Sequence, residues 1–392
     1  MPETELSVSF SALSEDVTPP RIIYIRNSDR QVFKRCRQKF EWVYAHRGNR
    51  VGTTKEKHFW FGSAFHYAME DRHGYQRYES PYAALEDYVQ AFTRGAIERG
   101  EGDSLVEDVP EMLDLGRSML DYYDLWLQRR DPLKTLRIDG VPQTEVKFYI
   151  PLPINQDILN RFGYDEAYFT GTIDRVIVDD YGRLWGLDYK TAKAFQDEIL
   201  DLDTQISGYC WASQFIYGKP FAGFIYQQHK KVRVEEPPFL KTTRAFSTAK
   251  TLNTTYAQYA AALTGLYGDL KSAPSANIEY LNNLAAEEDD NTDKIIRRSW
   301  VYRNAHQLNT EVERMCMEAV EMIDPNLYIY PNPTKDCSWD CNFKTACISK
   351  VDGSDWKHEI EQNTIDRQEE DETWKQHLRV PPIRQRHLLL PQ

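Results

Sequence analysis

Asp174, Asp188 and Lys190 are the residues of this chain whose types and spacing most directly imply chemistry. They lie in Gly171-Thr172-Ile173-Asp174-Arg175 and Leu187-Asp188-Tyr189-Lys190-Thr191, on either side of Asp179-Asp180-Tyr181-Gly182. The stretches from Tyr168 to Val178 and from Leu184 to Lys190 are rich in β-branched and aromatic residues and read as the two strands of a hairpin. With the turn centred on Tyr181, residue 178 falls opposite 184, 176 opposite 186 and 174 opposite 188, so both carboxylates share one sheet face with Lys190 beside them. Like charges opposed on a sheet repel. The arrangement therefore needs a compensating cation: the Lys190 ammonium, a bound divalent metal, or both. A slip of one residue would send Asp188 and Lys190 to the other face, and an isolated Asp-x-Lys also occurs on ordinary solvated faces.

The neighbouring elements supply further candidates. Asp203 is a capping residue ahead of Thr204-Gln205-Ile206-Ser207-Gly208-Tyr209-Cys210, where Ile206, Tyr209, Cys210 and Ser213 recur at helical spacing. Gln205 and Tyr209 then lie on one helix face. Upstream, Phe61 to Glu70 forms a short apolar helix carrying His66, whose imidazole could reach a metal and would otherwise sit satisfied in the core. Glu145 lies in Thr144-Glu145-Val146-Lys147, on a strand ahead of the hairpin.

Cysteines point to a second site. There are six, at 36, 210, 316, 337, 341 and 347. Cys337, Cys341 and Cys347 form C-x₃-C-x₅-C in a short polar run that makes no useful core helix, which is ligand-like spacing. Cys36 falls on an apolar stripe with Phe33 and Phe40 in a helix expected over about 28 to 45, and taken alone reads as a core cysteine. Cys210 and Cys316 also sit on helical stripes and read as structural. A disulfide framework is not expected in so long and core-rich a chain, which points to a reducing cytoplasm. Residues 1 to 20 are polar and acidic without the apolar segment of a signal peptide, and no stretch approaches a membrane span.

Taken together, the histidine of Gly62-Ser63-Ala64-Phe65-His66, the aspartate of Gly171-Thr172-Ile173-Asp174, Asp188-Tyr189-Lys190-Thr191 and the Gln205-x-x-x-Tyr209 helix resemble, in order, the motifs of the PD-(D/E)XK nuclease superfamily in its RecB-like exonuclease branch. That resemblance implies an α/β fold, with a restriction-endonuclease-like mixed central sheet flanked by helices and interrupted by helical insertions. It implies that His66, Asp174, Asp188 and the Tyr189 carbonyl bind Mg²⁺ or Mn²⁺. Lys190 would orient or activate the attacking water, Gln205 and Tyr209 would position the scissile strand, and Glu145 would support the site. Ile173 stands where the superfamily's eponymous proline would be. In iron-sulfur members of the branch, one cysteine before these motifs and three after them hold a [4Fe-4S] cluster; here Cys36 and Cys337, Cys341 and Cys347 match that layout, with Zn²⁺ the competing occupant. The cluster would join the N- and C-terminal parts.

Size and charge set the remaining bounds. With 392 residues, 41% of them hydrophobic, the chain can bury a large core, and length alone would allow roughly two to three domains. Cysteines meeting from both ends favour one elaborated domain over 21 to 350, with a helical insertion at about 81 to 130 and a core at about 143 to 230. A disordered tail over 1 to 20 and a charged extension over 351 to 392, read as a peripheral helix and loose tail, flank it. Strands are expected near 143 to 150, 168 to 178, 184 to 190 and 221 to 229, and helices over 248 to 272 and 308 to 324, with loops at Ala273-Pro274 and Glu287 to Asp290. A net charge of −12 is adverse for a polyanion, but His229-Lys230-Lys231-Val232-Arg233 and Lys294 to Arg303 combine cations with aromatics as a nucleic-acid groove would; solvated strand faces are the alternative.

The expected activity is metal-dependent exonucleolytic hydrolysis of DNA, single-stranded or at duplex ends, in recombination, repair or end processing. The nearest type is the phage-encoded relatives of CRISPR-associated exonucleases, which would act in the host cytoplasm. No Walker-type phosphate loop is present, so unwinding would need a helicase or recombination partner. The alternative is a catalytically silent, nuclease-like accessory protein that binds DNA or protein.

Overall fold

The computed structural model describes residues 20–52, 57–98, 106–130, 133–289, 291–338, 340–367 and 373–380. The tail expected over 1 to 20 lies outside them except for its last residue, as does the chain from 381 onward. At the centre is a six-stranded mixed sheet. Its strands are numbered here β1 (Ile22–Arg26), β2 (Thr144–Pro151), β3 (Glu166–Val178), β4 (Leu184–Ala192), β5 (Gly223–Lys230) and β6 (Ile296–Tyr302).

β3 organises the sheet because it serves three neighbours. β2 runs antiparallel along one edge, from Thr144 opposite Arg175 to Pro151 opposite Tyr168. The other edge is divided: β1 pairs in parallel with Glu166 to Thr170, and β4 pairs antiparallel with Arg175 to Val178. Between them, Gly171 to Asp174 face a fork with no strand. β4 then pairs in parallel with β5, and β5 antiparallel with β6.

The hairpin register is the expected one, with Val176 opposite Gly186 and Val178 opposite Leu184. Asp179 closes the turn by accepting the backbone amides of Tyr181 and Arg183 and the Trp185 indole N–H, and Gly182 takes the left-handed φ of +72° that the turn requires. The ladder stops at Arg175 opposite Leu187, one residue short of the two aspartates. There the strand also changes phase. Ile173 and Val176 pack in the same core, although strict alternation would put them on opposite faces, while Arg175 and Ile177 turn to the other side.

Each sheet face carries its own core. On one, helices Lys57–His73, Pro81–Glu98 and Val109–Leu127 pack Phe65, Leu85, Tyr123 and Trp126 near Ile177, Trp185, Leu187 and Ile225. On the other, helices Asn27–Arg35, Arg37–Val43, Thr204–Tyr217 and Ala305–Ile323 cover Ile23, Phe148, Phe169, Val176 and Phe224. Arg30 is fully buried there and joins Glu311 and Glu318 at 2.6 and 2.5 Å, tying the first helix to the last of that layer.

Several elements depart from the sequence expectation. Residues 22 to 26 form a parallel strand that the sequence expectation left out, although Ile22-Ile23-Tyr24-Ile25 is a β-branched and aromatic run. The helix expected over 28 to 45 is two helices, broken at Cys36 in extended conformation (φ −159°, ψ 108°). The helix expected over 248 to 272 is shorter, Tyr256–Tyr267, and a second, Ser275–Ala286, packs against it through Tyr259, Leu263, Tyr280 and Leu281. Arg298 in β6 and Arg303 just after it turn inward to Gln227 and to Ser207 and the Leu200 carbonyl, so they build the fold rather than a surface. In the charged C-terminal segment, helix Trp356–Asn363 and strand Thr364–Asp366 follow, the strand pairing with Arg50 to Gly52; Leu378 enters the first core.

Candidate active site

The fork in β3 gathers the predicted residues. His66 comes from helix Lys57–His73, Glu145 from β2, Asp174 from β3, Asp188 and Lys190 from β4, and Gln205 from the first turn of helix Thr204–Tyr217. Asp203 caps that turn by accepting the Ile206 amide at 3.0 Å. Ligand atoms of His66, Glu145 and Asp174 all lie within 4.8 Å of one another.

The Asp174 carboxylate turns sideways into the fork. Its Oδ2 accepts the Tyr189 backbone amide at 2.7 Å and lies 3.4 Å from His66 Nδ1. Burial works against that charge, but His66, Lys190 and the Tyr189 amide overcome it and hold the carboxyl below its usual range. Burial likewise disfavours a charged His66 ring, yet Asp174 and then Glu145 retain the proton and push its pKa up to about 9.

Asp188 is only 5% exposed. Its Oδ1 accepts Lys190 Nζ at 2.8 Å and Gln205 Nε2 at 3.1 Å. Oδ2 is buried, and the same Lys190 ammonium stands 2.8 Å from it. Burial, then repulsion from Asp174, raises the Asp188 pKa to about 6 despite Lys190. Burial opposes the Lys190 charge as well, but Asp188 and Asp174 prevail and raise its pKa, so in this arrangement Lys190 is an ammonium.

Glu145 sits closer to the centre than a supporting role requires. It adopts φ +49°, the left-handed region, between the regular pairs Thr144–Arg175 and Val146–Ile173. A non-glycine residue held there costs about 1–3 kcal/mol and marks a position over-determined by its surroundings. Burial and then Asp174 push its pKa up to about 8. Glu70, one turn beyond His66, adds to that repulsion and is itself raised by burial. Its i,i+4 spacing from His66 was the sequence signal for it, and sequence reasoning passed it by.

Tyr209 is placed differently from Gln205. Its ring packs on Phe148, Phe169 and Phe224, and its hydroxyl meets the Thr172 backbone amide beneath Gly171, where a Cβ would come within 2.6 Å of it. It props the unpaired edge of β3 from inside the core.

This donor set suits a hard divalent cation. It combines the Glu145 and Asp174 carboxylates with the His66 imidazole, and the buried Asp188 carboxylate stands beside them; burial, then Asp174, keeps the proton on Glu145 until a cation takes its place.

The four predicted cysteine ligands also converge, from both ends of the chain. The extended break places Cys36 at the N-terminus of helix Arg37–Val43, where its Sγ accepts the amides of Lys39 and Asn332 at 3.4 and 3.5 Å. Cys337 Sγ accepts the Thr334 amide at 3.4 Å. Cys341 and Cys347 flank a small cluster of Trp42, Phe343, Ala346 and Ile360. Burial raises both thiols, and the other three sulfurs of the set raise Cys347 further. All six cysteines are free. Amide-to-sulfur hydrogen bonds stabilise thiolates, as a metal-sulfur site needs. No three of the four sulfurs lie within 4.8 Å of one another among the described residues.

The sequence profile of the PD-(D/E)XK nuclease superfamily matches residues 28–348. The chain belongs to the PD-(D/E)XK nuclease superfamily. Members of this superfamily are generally nucleases that typically use Mg²⁺ or Mn²⁺, and membership implies DNA as substrate. The α/β architecture with its mixed central sheet is consistent with that fold. A crystal structure of SSO0001 matches at 14% identity over 76% of this chain and 86% of that chain, with a TM-score of 0.26; so loose a superposition carries no argument. No curated protein matches. Among the described residues of the PD-(D/E)XK chain, no helix is long and apolar enough to cross a membrane.

Proposed function

We propose that this PD-(D/E)XK protein is a divalent-metal-dependent DNA exonuclease of the RecB-like type. The observation that carries the reading is the meeting of His66, Glu145 and Asp174 at the fork in β3, with the Asp188–Lys190 pair beside them. His66, Glu145, Asp174, Asp188 and the Tyr189 carbonyl would hold Mg²⁺ or Mn²⁺. When bound, such an ion offsets the phosphate charge that repels a nucleophile and lowers the pKa of water. Lys190 contributes a fixed positive charge beside the carboxylates, suited to orienting a water or a phosphate oxygen. Gln205 holds Asp188 Oδ1, and Tyr209 acts through the strand edge it supports.

Cys36, Cys337, Cys341 and Cys347 would hold a [4Fe-4S] cluster. The resemblance to iron-sulfur members of the branch supports the cluster, with Zn²⁺ the competing occupant of four thiolates. The cluster would clamp the two ends of the domain and confer no hydrolytic chemistry. A role in recombination, repair or end processing, and an origin in a phage, belong to the same reading.

The test is cleavage of end-labelled single- and double-stranded DNA with Mn²⁺ or Mg²⁺ by anaerobically purified protein, beside Asp188→Ala and Lys190→Ala. Metal-dependent shortening from ends, lost in both variants, supports the exonuclease. Undiminished cutting in both would remove the site, and binding without cutting under every condition would favour the accessory reading. Iron with brown colour in the native protein, lost in Cys341→Ala and kept in Cys210→Ala, supports the cluster. Stoichiometric zinc without iron would refute it.

A further inference from the structure

Beyond Asp188 and Lys190, the carboxyl ends of β4 and β5 form a cationic rim the site itself does not use, with Lys230 on the face of Asp188 and Lys190, and Lys193 and Lys231 on the opposite face toward helix Lys57–His73. In the parallel pairing of β4 and β5, Lys190 lies beside Gln228 and Ala192 beside Lys230. The Lys231 amide donates to the Ala192 carbonyl at 2.8 Å, and Lys193 follows as the chain leaves β4. Strand geometry therefore sets Lys230, Lys231 and Lys193 about 8–11 Å from Lys190, measured between α-carbons. They stand outside the carboxyl ends of two parallel strands, where α/β sheets bind ligands.

Lys230 and Lys231 lie against rings rather than carboxylates. Lys230 Nζ and the Arg297 guanidinium each lie 4.5 Å from the centre of the Phe195 ring, and Lys231 Nζ lies 5.7 Å from that of Phe61. Arg297 is paired with Asp197. Lys294 is spent on the Lys250 and Leu252 carbonyls. For Lys193, Lys230 and Lys231, no carboxylate lies within ion-pair distance among the described residues; Glu287 and Asp293 act on Lys230 only from further away. Burial, with Lys294 and Arg297 for Lys230 and with Lys193 for Lys231, lowers the pKa of both ammoniums. Half-buried cations crowded without counter-charges are a standing cost that an incoming polyanion relieves.

We propose that Lys193, Lys230 and Lys231 form a phosphate-binding step for a single DNA strand running to the Asp188–Lys190 site. The assignment rests on the nuclease reading above. A single strand fits because Lys230 and Lys231 are half-buried beside Phe195 and Phe61, within reach of a thin, flexible backbone. On a protein of net charge −12, such a rim also steers the strand to the one face where it can be cut.

The experiment measures binding of fluorescent oligo-dT, twenty nucleotides long by choice of probe, in EDTA across a salt series, and in parallel its cleavage with Mn²⁺. The variant is Lys193→Ala/Lys230→Ala/Lys231→Ala; the same triple with arginine restores charge, and Lys134→Ala, whose lysine pairs with Asp180 at the hairpin turn, is the control. At about 0.7 per phosphate contact, the alanine triple flattens the log–log salt dependence by about 2 and weakens binding at least tenfold at low salt. The arginine triple and Lys134→Ala keep the native slope. An alanine triple with native slope and affinity overturns the step while native cleavage leaves the nuclease standing. Native protein that neither binds nor cuts the oligonucleotide overturns both.

Discussion

The backbone amide of Tyr189 donates a 2.7 Å hydrogen bond to Asp174 Oδ2, so the strand carrying Asp188 and Lys190 also fixes the carboxylate of its neighbour. The bond is possible because the β3–β4 ladder ends at Leu187, two residues before Tyr189, and frees that amide. Asp174→Asn keeps an acceptor for it and removes the charge. Cleavage should fall more than about a hundredfold. In metal-free protein, the His66 ring should lose the carboxylate that holds its proton, and its pKa should drop from about 9 to below the ordinary histidine value as burial prevails. NMR titration of the ring reads this directly; an unmoved His66 would separate the two residues.

Glu145 offers a test of strain. Its φ of +49° is comfortable for glycine and strained for any residue with a Cβ. Glu145→Gly should therefore be more stable than Glu145→Ala by about 1 kcal/mol or more in metal-free urea unfolding, while both lose divalent-cation affinity. Equal stability of the two variants would mean that the backbone there is relaxed.

Arg30 tests the join between the first and last helices of its layer. It is fully buried between Glu311 and Glu318. Arg30→Ala leaves two buried carboxylates facing one another and should cost about 3–5 kcal/mol by denaturant unfolding. Adding Glu311→Gln and Glu318→Gln should recover much of that loss, because the stranded charge, rather than the missing bond, is the main cost.

His229 predicts a dependence on acid. It is 1% exposed, and burial, then Arg298 and His66, lower its pKa to about 3. The unfolded chain takes up a proton below the usual histidine pKa of about 6.5, whereas the folded protein refuses it until about pH 3. Stability from this group is thus complete above about pH 6.5 and falls as the pH drops through that window. Near pH 5 the loss is about 2 kcal/mol. His229→Gln should remove that part of the slope between pH 7 and 5, and parallel curves for the two proteins would show that the buried histidine titrates elsewhere.

The hairpin was legible from sequence because its register depends on adjacent residues: alternation, one turn and Gly182 suffice to set 176 against 186. The Gln205 helix was legible for the same reason, through its Asp203 cap. What could not be read are features imposed from a distance. The pairing of Ile22 to Arg26 with β3 joins segments more than a hundred residues apart and has no local signature. Glu145 looks like an ordinary strand residue until Asp174 stands across from it. The break at Cys36 interrupts a good helical stripe, and only the approach of Asn332 and the late cysteines gives that break a purpose. Arg298 and Arg303 read as surface cations because the partners that satisfy them, Gln227 on β5 and Ser207 with the Leu200 carbonyl, lie far along the chain.

The divided edge of β3, made by β1 and β4, is laid down in the chain before the rest of the sheet. Ribosomes extend a chain at roughly 5–20 residues per second. His66, Asp174, Asp188 and Gln205 therefore emerge seconds before β6, before helix Ala305–Ile323 that supplies the buried partners of Arg30, and before Cys337 to Cys347. A nascent chain thus carries β1, β3 and β4, and with them the divided edge, while the strand and helix that complete the sheet and cover the second core are still to come. Closing the fold falls to the last-made part of the chain.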